Sequence, residues 1–491
     1  MDWVQEKEKW QPVIGLEIHV QLNTQSKMFS SESYHFGDEP NTHIGVVSTG
    51  QPGSLPTINR KAVEQTVLFG CAVQAKVSLM SHFDRKSYFY PDTPKNYQVT
   101  QFNCPLLREG HISCELNDGQ TKHFKIHHAH LEEDSGVLKH FTHFSGVDYN
   151  RSGVPILEIV SEACLHSAQE AVAYAMAIKA IVEYLDISRG NMEEGCLRMD
   201  TNISVRRKET KELRNKIEIK NMTSFSYMET AITSEIERQI QFYSLHPEEE
   251  IESGTYRFEQ GTKELVLMRT KEQAEDYRYF PEPDLPPIIL TEKYIDSIRR
   301  LLPELPRDRH RRYLLELHLP RQATILLVNE KKLSDYFEEG LKECSQPRAL
   351  ANWLTVEFPG RLKELGKKIW SSGIPCKQIA ELVNLIEQGR ITGKIAKSIA
   401  DEMVKEPGVP PEVLIQRNSL YQPVHDTAQV EQIIDRVLEK NPTSIADYLS
   451  GKKKAFSFLV GEVMKHSSGK APPNLVNELL LKKIHNRTDF K

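Results

Sequence analysis

Val13-Ile14-Gly15-Leu16-Glu17-Ile18-His19-Val20-Gln21-Leu22 alternates so regularly that it decides the architecture of the first half of the chain. Ile14, Leu16, Ile18, Val20 and Leu22 fall on one side of an extended backbone, and Glu17, His19 and Gln21 on the other. Side chains of period two describe a half-buried strand, and here the outer face carries chemistry. Outward from it the same device recurs. Leu197, Met199, Ile203 and Val205 oppose Arg198, Asp200, Asn202 and Ser204, and Ile217 and Ile219 oppose Glu218 and Lys220. Solvated faces of an ordinary antiparallel sheet explain any one such strand. Three strands mixing acid, base and amide on the polar side point instead to a binding face.

Short acidic clusters punctuate the apolar runs: His130-Leu131-Glu132-Glu133-Asp134-Ser135-Gly136, Leu157-Glu158-Ile159-Val160-Ser161-Glu162, and the stretch from Met192 to Asp200. Carboxylates are costly to bury, so acids on strands need a counter-charge, normally a cation. Glu17 and His19 point the same way, and extended geometry puts His128, His130 and Glu132 on one face. Oxygen ligands with one or two imidazoles suit Mg²⁺ or Mn²⁺ better than zinc. For Glu133, Asp134 and Glu162 taken singly, metal binding and pairing with a nearby Arg or Lys are equally open. The sequence has no Gly-x-x-x-x-Gly-Lys-Ser/Thr and no Gly-x-Gly-x-x-Gly after a strand, so a nucleotide would not sit on either of those turns. Arg189, Arg198 and Lys220 offer cations for phosphate, or face solvent. The aromatic stretches at 87–91, with Tyr88, and at 276–281 offer stacking for a base or ribose, or core packing. No nucleophile elbow or Cys–His signature stands out.

At 491 residues the chain exceeds one core and divides into domains. The expected division is a mixed α/β region at 1–295, a helical region at 296–406, and a basic helical tail at 407–491 beyond Pro407-Gly408-Val409-Pro410-Pro411. Ser167 with Glu170 predicts a capped helix running through Ala171, Tyr174, Ile178 and Ile181. A second helix is predicted over Tyr227–Tyr243, and Pro281–Pro287 marks a rigid segment near a domain edge. Helix-like stretches at 427–440 and 475–485 fill the tail. The last 40 residues hold nine Lys or Arg against three acids, a pattern fit for backbone phosphates or for plain solvation. The net charge of −5 lacks the bias of a general nucleic-acid coater. The seven dispersed cysteines, the lack of a signal-peptide pattern and the lack of a long apolar run suggest a cytoplasmic protein with no membrane segment.

Assembled, these segments closely resemble the GatB family, the B subunits of the aspartyl/glutamyl-tRNA amidotransferases, nearly end to end. The segments that carry the resemblance are 13–20, 85–92, 130–136, 150–162, 192–200, 218–221, 276–284, 458–465 and 469–477. The resemblance implies an α+β "cradle" domain with a mostly antiparallel sheet, then an all-helical domain and a small helical tail that holds tRNA. It implies ATP- and Mg²⁺-dependent phosphorylation of the side-chain carboxylate of Glu on tRNA(Gln) or Asp on tRNA(Asn), with Mn²⁺ able to substitute. Ammonia then displaces phosphate; it comes from glutamine, hydrolysed by an amidase partner (the family's A subunit), and arrives through a channel. A small linker protein (the family's C subunit) completes the heterotrimer. Metal positions correspond to Glu17, His19, Glu132 or Glu133, Glu158 and Asp200. Catalytic roles fall on Glu17, His19, Glu132, Glu133 and Asp200, nucleotide contacts on Arg198, Lys220 and Tyr88, and tail contacts to tRNA on Lys465, Lys470, Lys482 and Lys483. Two departures stand out. Many relatives carry a four-Cys zinc site after the first strand, where this chain has Met28-Phe29-Ser30-Ser31-Glu32 and Val47-Ser48-Thr49-Gly50, so no structural zinc is expected. The family's usual Arg two residues before the motif histidine is His128 here, which makes a cationic contact there weaker or pH-dependent. Two rival readings are a metal-dependent tRNA nuclease and a non-catalytic tRNA scaffold.

Overall fold

The computed structural model describes residues 3–116, 118–220, 222, 224–259, 264–270, 277–418, 421, 427–467, 470–471 and 473–488. Asn221, Asp276, Gly469, Pro472, Asp489 and Lys491, which belong to segments read above, lie outside the described residues. The chain forms two compact units, the first ending at Asp308 and the second beginning at Arg309.

The first unit is built on the strand that opened the reading. Strand β1 (Trp10–Gln21) lies inside a ten-stranded sheet. The strands that follow in sequence are β2 (Asp84–Ser87) and β3 (Tyr97–Thr100) of a smaller sheet, then β4 (Thr121–Glu133), β5 (Pro155–Ser161), β6 (Leu197–Arg207), β7 (Ile217–Lys220), β8 (Gly254–Glu259) and β9 (Glu264–Thr270). The large sheet runs β9-β8-β7-β6-β1-β5-β4 and continues through the short strands Leu107–Arg108 and Lys76–Val77. Among the described residues only β7 and β8 pair in parallel, so the sheet is mostly antiparallel, as expected.

Register then does the assembling. Glu17 lies opposite Asp200 on β6, and His19 lies opposite both Arg198 on β6 and Glu158 on β5. Glu158 in turn lies opposite His130 on β4. Residues opposed in an antiparallel ladder share a face, so four stretches remote in sequence meet on one surface. The reverse face is apolar: Leu16, Ile18, Leu131, Leu157, Ile159, Met199 and Ile203 are at most 1% exposed. It packs under α2 (Arg60–Ala72), α3 (Ala168–Tyr184) and α4 (Phe225–Leu245). Burying a side chain of this size stabilises the fold by roughly 1.5–3 kcal/mol.

Local signals explain the helix ends. The Ser167 hydroxyl accepts from the Glu170 amide at 3.1 Å. The Glu170 carboxylate reaches back past the cap to accept from the His166 amide at 2.7 Å, a variant of the reciprocal capping box. Helix α4 extends the predicted span by a turn's fraction at each end, because Ser224 caps it by accepting from the Tyr227 amide. The proline-rich segment is an edge element of the first unit. Phe280 pairs with Arg85 on β2, and the Arg85 guanidinium grips Glu282 at 2.6 and 2.8 Å. The unit runs past the expected boundary at 295 because the helix Glu292–Arg299 buries Ile295 and Ile298 in the first core. The loop after β1 is anchored by Lys27, which is 1% exposed and donates to the carbonyls of His43 (2.7 Å) and Tyr149 (3.3 Å). Burial holds the pKa of Lys27 down to about 8.

The second unit is helical and carries two separate apolar cores. One gathers Phe337, Leu354, Phe358, Ile379 and Ile399, and the other gathers Val430, Ile434, Leu459, Val463 and Leu480. The tail helices Thr427–Lys440 and Pro473–Thr488 cover both predicted stretches. Among the described residues, no helix is long and apolar enough to cross a membrane.

Glu6 ties the N-terminal helix Trp3–Glu8 to the sheet. Its carboxylate accepts from Lys9 (2.8 Å), Trp10 Nε1 (3.2 Å) and Ser244 (3.2 Å) and pairs with Arg207 (3.0 Å). Chiefly through Lys9, and against the effect of burial, its pKa is held down to about 2. A carboxylate depressed in the folded state stabilises it above the ordinary value of 4.5, and that contribution fades as pH falls toward 2. Thermal melts should therefore show Glu6→Gln less stable than the parent at pH 7, with the gap closing between pH 4.5 and about 2. A gap that persists at pH 2 would contradict this.

Candidate active site

The polar face resolves into two adjoining clusters. In the first, His19 Nε2 lies 3.3 Å from Glu158 Oε2 and 3.7 Å from Glu132 Oε1, while His130 Nε2 approaches Glu158 Oε2 at 3.6 Å. One ligand atom from each of His19, Glu132 and Glu158 lies within 4.8 Å of the other two. Burial would by itself lower the pKa of His19, but Glu158 and then Glu132 raise it to about 9. Glu132, only 4% exposed, is pushed up to about 7 by burial and by the charge of Glu158. Glu158 keeps its charge well below the ordinary range because His130 and His19 outweigh its burial.

In the second cluster Glu17, Asp200 and Glu218 surround one ammonium group. Lys220 Nζ lies 2.9 Å from Asp200 Oδ2 and 3.0 Å from Glu218 Oε1, and these carboxylates raise its pKa despite its burial. Glu17 accepts from the Asn202 amide at 2.9 Å. Its pKa is raised, first by burial and then by Glu158, Glu218 and Asp200.

Four of the expected metal positions, Glu17, His19, Glu132 and Glu158, thus share a face with Asp200. Glu133 does not join them. It follows Glu132 on β4 and points to the other side, where it pairs with Lys95 and accepts from the Val99 amide at 2.9 Å. Strand alternation and a local cation explain this departure from the expected ligand set. Arg198 lies on the right face but is committed to Asp134 at 2.9 Å, a carboxylate that Arg151 also approaches at 3.4 Å. It is placed to set the strand's position rather than to meet a ligand freely. Tyr88 borders the site with its ring edge on Tyr277 at 6.2 Å, and burial pushes its pKa up to about 12. His128, where the family's usual residue is Arg, is held down to about 4 by burial and by His130 and His127.

Lys86 and Glu218 complete the face together with His130 and Asp134 of the acidic cluster at 130–136. Burial would lower the pKa of Lys86, but Glu132, Tyr279 and Glu158 together raise it. Its ammonium lies over the Tyr277 ring at 4.8 Å. The alternation around Ile217 and Ile219 already marked Glu218; nothing local marked Lys86. In the tail, Lys482 is exposed and Lys465 stays 74% exposed beside Glu462, while Lys470 is half-buried. Lys483 is spent between helices, on Asp435 at 2.6 Å and Glu431 at 3.4 Å. Its expected place among the phosphate contacts is therefore replaced by a structural tie.

The donor set of one imidazole and two carboxylates suits a hard divalent cation such as Mg²⁺ or Mn²⁺. A carboxylate driven to about 7 by burial and by its neighbour marks a place where positive charge is in demand.

Residues 12–296 match the family model described as the GatB/GatE catalytic domain, and residues 335–484 match the GatB domain. The chain is 59% identical over 481 residues to the B subunit of the aspartyl/glutamyl-tRNA(Asn/Gln) amidotransferase of Protochlamydia amoebophila, covering 97% of each chain. It is 52% identical to the protein of the same name from Chlamydia pneumoniae, covering 96% of this chain and 97% of the relative. For the Chlamydia abortus protein the identity is 53%, covering 96% and 98%.

The two glutamates on opposite faces of β4 and β5 provide a test. In Mn²⁺ titrations followed by electron paramagnetic resonance, Glu158→Gln should weaken binding by about tenfold or more. Glu133→Gln should leave Mn²⁺ affinity unchanged, yet cost roughly 3 kcal/mol of stability by leaving Lys95 buried without its partner. Equal loss of Mn²⁺ in both variants would contradict the assignment.

Proposed function

The chain belongs to the GatB family, and from that premise we propose that it is the transamidating subunit of a tRNA-dependent amidotransferase, a ligase that forms a carbon–nitrogen bond. The proposed substrates are Glu-tRNA(Gln), Asp-tRNA(Asn) or both, with ATP. The proposed assembly is a cytoplasmic heterotrimer with a glutamine-hydrolysing amidase and a small linker protein. The observation that supports the reading most directly is the His19–Glu132–Glu158 cluster, with Glu132 buried and the other two half-buried, beside the Lys220–Asp200 pair on one face of the sheet.

The chemistry has two displacements. A carboxylate oxygen of the charged amino acid attacks the γ-phosphorus of ATP and ADP leaves, giving an acyl phosphate. Ammonia then attacks the carbonyl carbon and inorganic phosphate leaves, so the amide forms as the nitrogen loses a proton. Held by His19, Glu132 and Glu158, a divalent cation would offset the charge of phosphates and substrate carboxylate as they approach. Lys220 and Lys86 supply fixed positive charge on either side of these residues. The Arg198–Asp134 pair holds β6 against the turn after β4, which fixes the spacing of the two clusters. The low exposure of Glu132 and His130 limits water at the acyl phosphate, which hydrolyses readily.

The assembled three-subunit enzyme, given Glu-tRNA(Gln), ATP, Mg²⁺ and glutamine, should form Gln-tRNA(Gln) with ADP and phosphate released in step. Glu158→Gln should lower that rate by roughly a hundredfold or more while tRNA binding is kept. RNA cleavage without ATP, or full amidation by the variant, would overturn the proposal.

A further inference from the structure

Residues 22–59, between β1 and α2, hold no helix or strand, and no cysteine lies among them. A stretch of that length inside a compact unit needs something to hold it. By the family resemblance, residues 28–32 and 47–50 stand where many relatives carry a four-Cys zinc site. The residues present do not fit that metal. Ser30 and Glu32 bond to each other, Glu32 lies against Gly45, and Gly45 bonds to Ser48. Two hydroxyls and one carboxylate are a poor set for zinc, whose structural sites take four thiolate or imidazole ligands. His43 is close by, but its Nε2 lies 2.7 Å from Asp38 and its Nδ1 lies 3.2 Å from the Ser33 hydroxyl. Among the described residues, three His, Cys, Asp or Glu ligand atoms converge at the His19 cluster and not in this loop.

A different cation sits at the centre of the loop. The ammonium of Lys27, a residue 1% exposed, donates to the carbonyls of His43 and Tyr149. Burial works against its charge, and the carboxylates of Glu32, Glu133 and Asp148 work for it. The backbone is stitched around this group from several sides. The Lys27 amide donates to the Glu32 carbonyl at 2.9 Å, the Asn59 side chain donates to the Lys27 carbonyl at 3.0 Å, and the His43 amide donates to Asn150 Oδ1 at 2.8 Å. Glu32 then interlocks with Gly45. A Cβ built at Gly45 would overlap the Glu32 carboxylate, so the missing side chain is what makes its seat. The loop also reaches the turn after β4: the Met28 amide donates to the Gly153 carbonyl at 2.7 Å, and the Gly153 amide to the Asp134 carbonyl at 2.9 Å.

We propose that a metal-free clasp closes this loop, in which the Lys27 ammonium and the Glu32–Gly45 interlock take the place of the structural zinc of its relatives. Such a clasp needs neither a zinc supply nor reduced thiols, and it carries its hold to the segment that bears Asp134.

Hydrogen exchange of the whole chain in excess Mg²⁺, with and without a zinc-selective chelator, tests this. The chelator should leave exchange across residues 41–51 unchanged. Lys27→Met should speed exchange there by about tenfold or more, while the amides of β1 keep the parent's rates. Gly45→Ala displaces the Glu32 carboxylate with little other disturbance; it should speed exchange about threefold, and it carries the test should Lys27→Met fail to fold. A chelator that loosens residues 41–51 in the parent would overturn the clasp in favour of a bound metal. Parent-like exchange at 41–51 in the folded variants would overturn it as well.

Discussion

Two carboxylates, the buried Glu132 and the half-buried Glu158, lie on neighbouring strands with the His19 imidazole between them. Desolvating one carboxylate costs several kcal/mol, and a second one beside it adds repulsion. Such a pair is tolerable only where positive charge is supplied from fixed positions. Much of the first unit can be understood as that supply. His130 leans on Glu158 from β4, Lys86 approaches from the smaller sheet, and Arg198 is kept on the face by Asp134. Strand pairing makes this possible because it turns residues distant along the chain into neighbours.

That dependence makes register the quantity the fold must protect. A slip of one residue between β1 and β5 would carry His19 to the apolar face and Ile18 to the polar one. The apolar face prevents it, since Leu16, Ile18, Leu157 and Ile159 have at most 1% exposure beneath the helices. The irregularity in the β4–β5 ladder falls between Val160 and Ser161, past the Glu158–His130 pair. The sheet bends where no ligand depends on it and stays regular where three strands must agree. Core packing and site geometry are therefore consequences of one alternation.

What could be read from the sequence follows from the range of the forces involved. Alternation is local, so β1, β6 and β7 and the direction of Glu17, His19, Asp200 and Lys220 were legible residue by residue. The same rule separates Glu132 from Glu133, but motif adjacency grouped them, and the partner that claims Glu133 is Lys95, 38 residues away. Arg198 was placed on the correct face, yet its commitment to Asp134 depends on a turn whose path no periodicity encodes. Lys86 was silent because its strand has four residues, too few to show a period. The helix Glu292–Arg299 looked like the start of the helical region, but its Ile295 and Ile298 pack into the first core, so contact rather than helix type sets the boundary.

The charges on the face lead one step further. Among the described residues, Glu17, Glu132, Asp134, Glu158, Asp200 and Glu218 meet four permanent cations, Lys86, Arg151, Arg198 and Lys220, together with the imidazoles of His19 and His130. Each permanent cation already faces carboxylates of the protein, so an arriving polyphosphate would have to compete for them. A face with that balance repels anions on its own. Under the proposed function, a divalent cation bound with the ligand would join these acids to the anion. On this argument the excess of acid is a selective device: it discourages free anions and admits those that carry their own cation. The cation proposed for the reaction agrees with the charge count of the sheet as well as with the ligand geometry at His19.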